Sequence, residues 1–250
     1  MEICLIGGGN HTNNELGEVF LELSKIIKPE AKILIIPFAT DNSRYESWMA
    51  SIKQAFSIME NVSIELLNED LSDKEMKKSI IEHDILYFIG GKPERLIHVI
   101  EEKGLTPIIK NFQGLMIGYS AGSLAFGHDC IITKDKDYPE TIVIKGLGLV
   151  GFSVEVHYED NIDGELFPLS NDRKIYAIPN GSAVFCKNGE LYKGINDIHS
   201  FQNMKKEIVN SKDLSPNWSR ARELKNKAKG DCDENKFNDL HYINKRTRKE

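Results

Sequence analysis

The feature that most constrains the fold is an alternation, kept up over the first 127 residues, of short apolar runs with amphipathic stretches. Residues 2–7, 32–37, 62–67, 85–89 and 115–118 read as five strands, and residues 33–36 are apolar throughout, as in a strand covered on both faces. Between them, Leu16, Val19, Phe20, Leu23, Ile26 and Ile27 recur at helical spacing. Tyr45, Trp48, Met49, Ile52, Phe56 and Met59 form a second such stripe. Ser72-Asp73-Lys74-Glu75 has the pattern of a capping box, and Pro93 suits the first turn of a further helix. Parallel strands need crossovers, which helices supply. The expected fold is therefore α/β, a doubly wound, mostly parallel sheet with helices on both faces.

From about Cys130 the texture changes. Runs at 141–144, 147–156, 174–178, 183–186 and 191–193 lie between turn residues, and Asn188-Gly189 is a hairpin signal. These predict added antiparallel strands that extend the sheet. Residues 201–250 hold 13 Lys/Arg against 8 Asp/Glu, a local +5, whereas the whole chain is formally −6. The expected organisation is one α/β domain over 1–200 and a basic, helical or partly disordered tail over 201–250.

A net charge of −6 gives no general reason to expect nucleic acid as a partner. No apolar run approaches the roughly 18 residues that span a bilayer, and Met1-Glu2-Ile3-Cys4 has no basic region ahead of it, so neither a membrane nor a signal peptide is expected. Cys4, Cys130, Cys186 and Cys232 are widely separated, which suggests reduced thiols and a cytoplasmic location.

Directly after the fifth strand stands Gly118-Tyr119-Ser120-Ala121-Gly122. A Gly-x-Ser-x-Gly turn from strand into helix exposes the serine Oγ, and its glycines leave room where a Cβ would collide. A serine needs a base to become a nucleophile. Among seven histidines, His157 ends an apolar strand and stands first by position, with His11 next. A base in turn needs an orienting group. Asp135, Asp137 and Glu140 lie between Ser120 and His157, and Glu155, Glu159 and Asp160 flank the histidine; spacing does not choose among them. For an oxyanion, Ala121 offers the N–H after the nucleophile, and the Gly90-Gly91 pair can aim a second at little steric cost. The loops at 7–10, 39–44 and 90–92 and Ser120 all follow strand carboxyl ends, where open α/β sheets bind ligands.

With Gly7-Gly8-Gly9, Ile89-Gly90-Gly91, Gly118–Ser123, Gly146-Leu147-Gly148-Leu149 followed by His157-Tyr158, and Ile178–Ala183 together, residues 1–195 resemble peptidase family S51, the serine peptidases that include aspartyl dipeptidase (peptidase E) and cyanophycinase. The resemblance implies a class I glutamine amidotransferase-like, flavodoxin-like fold. It also implies Ser120 as nucleophile, His157 as base, and an acid between them in an Asp-x-Pro context. Asp137-Tyr138-Pro139 fits that context best, and Asp135 fits an ungapped count. The chain departs from the family at Lys92, where an amide is usual, and at Val156, where a proline often precedes the histidine.

The function this implies is a dipeptidase E-type amidase acting on a small peptide, with N-terminal Asp as one candidate, and with no metal or cofactor. Gly91 and Ala121 form the oxyanion hole, and Gly90, Lys92 and Arg44 contact substrate. A homodimer is compatible with this reading. The competing readings are a catalytically silent or sensory ligand binder of the same fold, and a conventional α/β-hydrolase esterase. The esterase normally has its histidine much farther downstream than the 37 positions seen here.

Overall fold

The structure is a computed structural model that describes residues 1–209. Strands β1 (Glu2–Ile6), β2 (Lys32–Ile36), β3 (Ser63–Leu66), β4 (Ile85–Phe88) and β5 (Leu115–Tyr119) pair in parallel in the order β1-β5-β4-β2-β3. The crossovers run through α1 (Gly17–Ser24), α2 (Tyr45–Ala55), α3 (Asp73–Glu82), α4 (Pro93–Glu102) and α5 (Thr106–Lys110). Successive strand residues face opposite sides, and β4 shows what that does here. The Tyr87 ring meets Phe56, which in turn meets Phe20 of α1, while the next residue, Phe88, meets Phe126 of α6 (Ala121–Phe126). Helices therefore cover both faces, and all four residues of β4 are buried. The Ser72–Glu75 capping box opens α3, and Pro93 opens α4.

The antiparallel addition is smaller than the sequence suggests. Strands β10 (Ala183–Lys187) and β11 (Glu190–Ile195) extend the main sheet beside β1. They are joined through Asn188 and Gly189, both at positive φ as a tight hairpin requires. The remaining strands leave that sheet. β6 (Asp129–Ile132) and β7 (Ile142–Lys145) form a two-stranded ribbon. β8 (Ser153–Val156), β9 (Ile175–Ile178), β12 (His199–Gln202) and β13 (Lys205–Ile208) form a second sheet, in which β8 and β9 are parallel.

The apolar run at 147–156 is strand only over its last four residues. Before that, the Leu147, Leu149 and Val150 N–H groups donate to Ala125 and Phe126 carbonyls at the end of α6, so the run buries itself as a bent loop. The boundary expected at residue 200 falls within β12, and the β12–β13 hairpin carries regular structure to Ile208. The rest of the basic tail, with Cys232, lies outside the described residues. Cys4, Cys130 and Cys186 are buried free thiols. Among the described residues no helix is long and apolar enough to cross a membrane.

Candidate active site

β5 delivers Ser120 through a sharp turn. Its backbone holds φ 50° and ψ −110°, a region that L-residues rarely occupy and that costs on the order of 1–3 kcal/mol. The two flanking glycines make the turn fit. A Cβ on Gly118 would lie 2.8 Å from the Gly122 carbonyl carbon, and one on Gly122 would lie 2.5 Å from the Phe88 carbonyl oxygen. The Ser120 N–H donates to the Ile6 carbonyl (3.0 Å), which anchors the serine to β1.

The partner arrives from the second sheet. His157 follows β8, and its Nε2 lies 2.8 Å from Ser120 Oγ. No other histidine among the described residues bonds this hydroxyl; His83, His98, His128 and His199 have partners elsewhere. On its far side, His157 Nδ1 lies 2.6 Å from Asn180 Oδ1. The Gly7-Gly8-Gly9 loop joins these parts. The Gly7 carbonyl accepts from the His157 N–H (2.9 Å), the Gly8 carbonyl from the Gly181 N–H (3.0 Å), and the Gly9 carbonyl from the Tyr119 hydroxyl. Gly8 sits at φ +142°, and a Cβ there would meet His157 Cε1 at 2.2 Å and Asn180 Oδ1 at 2.5 Å. The triple glycine is thus the surface against which the imidazole rests.

Asp135 and Asp137 do not reach that imidazole. The Asp135 carboxylate accepts the N–H groups of Asp137 (2.7 Å) and Tyr138 (2.8 Å), which closes its own turn. The Asp137 side chain has no bonding partner among the described residues. The Tyr138 hydroxyl holds this turn to Glu94 of α4. Asn180 is the residue that reasoning from sequence passed over. Its signal was present in the Pro179-Asn180-Gly181-Ser182 turn, but a search limited to carboxylates skips an amide.

The Gly90 and Gly91 N–H groups donate to nothing among the described residues, while the Lys92 N–H bonds the Ala39 carbonyl (2.7 Å). Gly91 takes φ +139°, where a Cβ would lie 2.3 Å from the Ala39 oxygen, so only glycine fits this turn. The Lys92 and Arg44 side chains are both exposed. Arg44 lines a cavity of about 310 Å³ with Asn10, His11, Ser47 and Trp48. Gly90 belongs to the same neighbourhood, packed beside the Tyr119 and Trp48 rings.

His11, the second candidate base, stacks on Tyr119 (4.6 Å between ring centroids) and places Nε2 2.8 Å from the Tyr87 hydroxyl. That hydroxyl is fully buried and has no other partner among the described residues. It therefore donates to Nε2 and leaves the imidazole proton on Nδ1. Burial pushes His11 down to about 4, so the ring is neutral at ordinary pH. A larger hollow of about 1070 Å³ lies at the opposite, amino edge of the sheet, against Glu2, Ala31, Ile85 and Leu115.

One further acid lies close by. Glu155, on β8 two residues before His157, is 3 % exposed and accepts the Thr133 hydroxyl (2.8 Å). Burial, reinforced by Glu165 and Asp135, pushes its carboxyl up to about 8. Among the described residues no three His, Cys, Asp or Glu side chains are grouped to hold a metal ion.

Comparison with known proteins agrees with the fold. The model of peptidase family S51 matches residues 3–193. "Peptidase E" of Nostoc sp. is 26% identical over 175 residues, covering 64% of this chain and 71% of that one. The "Uncharacterized peptidase YgaJ" of Bacillus subtilis is 24% identical over 206 residues, covering 78% and 86%. Among solved structures, a peptidase from an acI-B1 Actinobacterium superposes with a TM-score of 0.64 at 18% identity, covering 84% of this chain and 94% of that one. A putative peptidase E protein from Listeria monocytogenes superposes with a TM-score of 0.59 at 20% identity, covering 84% and 98%.

Proposed function

We propose, because the chain belongs to peptidase family S51 and is a serine-type peptidase, that it cleaves short peptides through an acyl-enzyme on Ser120. The observation that carries this is the 2.8 Å approach of His157 Nε2 to a Ser120 Oγ exposed on the carboxyl edge of the sheet. In the proposed reaction Oγ attacks the scissile carbonyl carbon while its proton passes to Nε2. The Ala121 and Gly91 N–H groups receive the oxyanion. His157 then hands that proton to the leaving nitrogen, and the C–N bond breaks. A water, deprotonated by the same imidazole, attacks the ester, and the acid product leaves with Oγ protonated again.

The finer reading is a preference for an amino-terminal aspartyl residue. It is supported by the Arg44 guanidinium, which lines the cavity with His11 and Trp48, and by the neutral His11 as a second donor there. A second reading, a ligand-binding relative without turnover, is favoured by the amide, in place of a carboxylate, at His157 Nδ1.

A fluorophosphonate followed by intact-mass measurement separates the two. A single adduct, lost in Ser120→Ala, is the expected result, and an unlabelled protein supports the silent binder. Ser120→Ala should lower kcat by at least about a thousandfold with unfolding unchanged. Undiminished turnover in that variant overturns the assignment. In a panel of Asp-X, Asn-X and Ala-X dipeptides, Arg44→Gln should narrow the Asp-over-Asn preference by about tenfold or more, the worth of a hydrogen bond to a charged group.

A further inference from the structure

We infer that Asn180 is the positioning residue of His157, and that neither Asp135 nor Asp137 holds the base. The inference rests on the reading of Ser120 and His157 just given, and goes beyond it in naming an uncharged third member.

The imidazole must present a lone pair on Nε2 to the serine, so its proton must sit on Nδ1 and needs an acceptor there. The acceptor within reach is the Asn180 carbonyl oxygen, at 2.6 Å. The chain has built a turn to hold it. The Ser182 N–H closes on the Pro179 carbonyl at 3.2 Å, with Gly181 at φ +73° in the third position, where a type II turn demands glycine. That turn is tied from both sides: the Gly181 N–H donates to the Gly8 carbonyl (3.0 Å), and Asn196 Nδ2 donates to the Gly181 carbonyl (2.8 Å). Gly8 closes the remaining space, since any side chain there would overlap both His157 and Asn180.

The charged groups on the surrounding elements are engaged elsewhere. Asp135 is spent on its own turn, Glu155 accepts from Thr133, and Asp160 and Asp163 hold Lys206 beyond Tyr158. None of them bonds the imidazole.

In the attack step the Ser120 proton goes to Nε2, and the Nδ1 proton stays on Nδ1, shared with Asn180; nothing is transferred to the amide. An amide oxygen orients the ring but does not neutralise the imidazolium that forms. A carboxylate at the same place would do both, and would raise the histidine's pKa. Asn180→Asp therefore reads out the role directly.

The experiment is the pH profile of kcat/KM for the wild type, Asn180→Asp, Asn180→Ala and Asp135→Asn, on the best peptide of the panel above. Because the base works as neutral imidazole, the acid limb reports its pKa in the free enzyme. Asn180→Asp should move that limb to higher pH by about one unit, the shift a neighbouring opposite charge produces. Asn180→Ala should lose about 10- to 150-fold in kcat, with KM little changed. Asp135→Asn, which keeps the acceptor oxygen of its turn, should stay within about threefold, well below the cost of a single hydrogen bond to a charged group. An unmoved acid limb in Asn180→Asp overturns the inference, as does a loss in Asp135→Asn as large as that in Asn180→Ala. If Asn180→Ala does not fold, the near-isosteric Asn180→Asp still decides. Failure of the underlying reading looks different: the wild type then takes no fluorophosphonate on Ser120.

Discussion

The two halves of the site are built in opposite ways. The half that carries Ser120, the proposed nucleophile, is local: strand, strained serine and helix follow one another within twelve residues of β5 and α6, and glycines at 118 and 122 relieve the crowding. The half that carries His157, the proposed base, is assembled from distant pieces. His157 ends β8, Asn180 follows β9, and the two meet only because β8 and β9 pair in parallel and the Gly7–Gly9 loop packs between them and Ser120. The difference shows that the position of the proposed nucleophile is a property of one segment, whereas that of the proposed base is a property of the packing between two sheets.

The sharpest way to break this comparison is Gly8→Ala. The added methyl would sit about 2.2 Å from His157 Cε1 and at a φ that alanine avoids. The imidazole must move, and a displacement on the order of 1 Å is enough to cost about a hundredfold. We expect kcat to fall by about that much or more while Ser120 remains in place. The check is steady-state kinetics beside far-UV circular dichroism. Activity within about threefold of wild type would mean that the loop does not set the base.

The same division explains what could be read before the structure. The five parallel strands, the capping box at Ser72 and the elbow are encoded in short-range patterns, and each lies where those patterns point. The second sheet was hidden because its pairings are long-range. Strand β8 follows a loop as apolar as itself, and β12 and β13 carry few apolar residues to announce them. The proposed third member was hidden for a chemical reason. Carboxylates abound between Ser120 and His157, and only the geometry shows that Asp135 is consumed by its own turn and that an amide oxygen faces Nδ1.

A smaller effect sharpens the other side of the comparison. Gly122→Ala leaves the base half untouched but drives a methyl against the Phe88 carbonyl, about 2.5 Å away, in the packed seam between α6 and β4. Overpacking of this kind costs about 1–3 kcal/mol, so the melting temperature should drop by roughly 2–12 °C for a chain of this size. Here the loss should appear in stability first. A variant that melts like the wild type would mean that the elbow glycine is not held by packing.

A last effect, read against pH, concerns Glu155, the buried acid on the strand that leads to His157. Its carboxyl titrates at about 8 in the folded protein, against 4.5 for an unconstrained glutamate. Between these values the unfolded chain has released a proton that the folded chain keeps, so the folded state binds more protons and loses stability as pH rises. Below about pH 4.5 the penalty is absent; above it the penalty grows by at most about 1.4 kcal/mol per pH unit until the folded pKa is passed. Glu155→Gln keeps the shape and an acceptor for Thr133 but cannot ionise. The variant should therefore gain on the wild type as pH is raised from about 5 to 8, read as a difference in urea midpoints across that window. Parallel midpoints would show that Glu155 ionises freely, and that β8 is less tightly closed over its acid than a residue 3 % exposed implies.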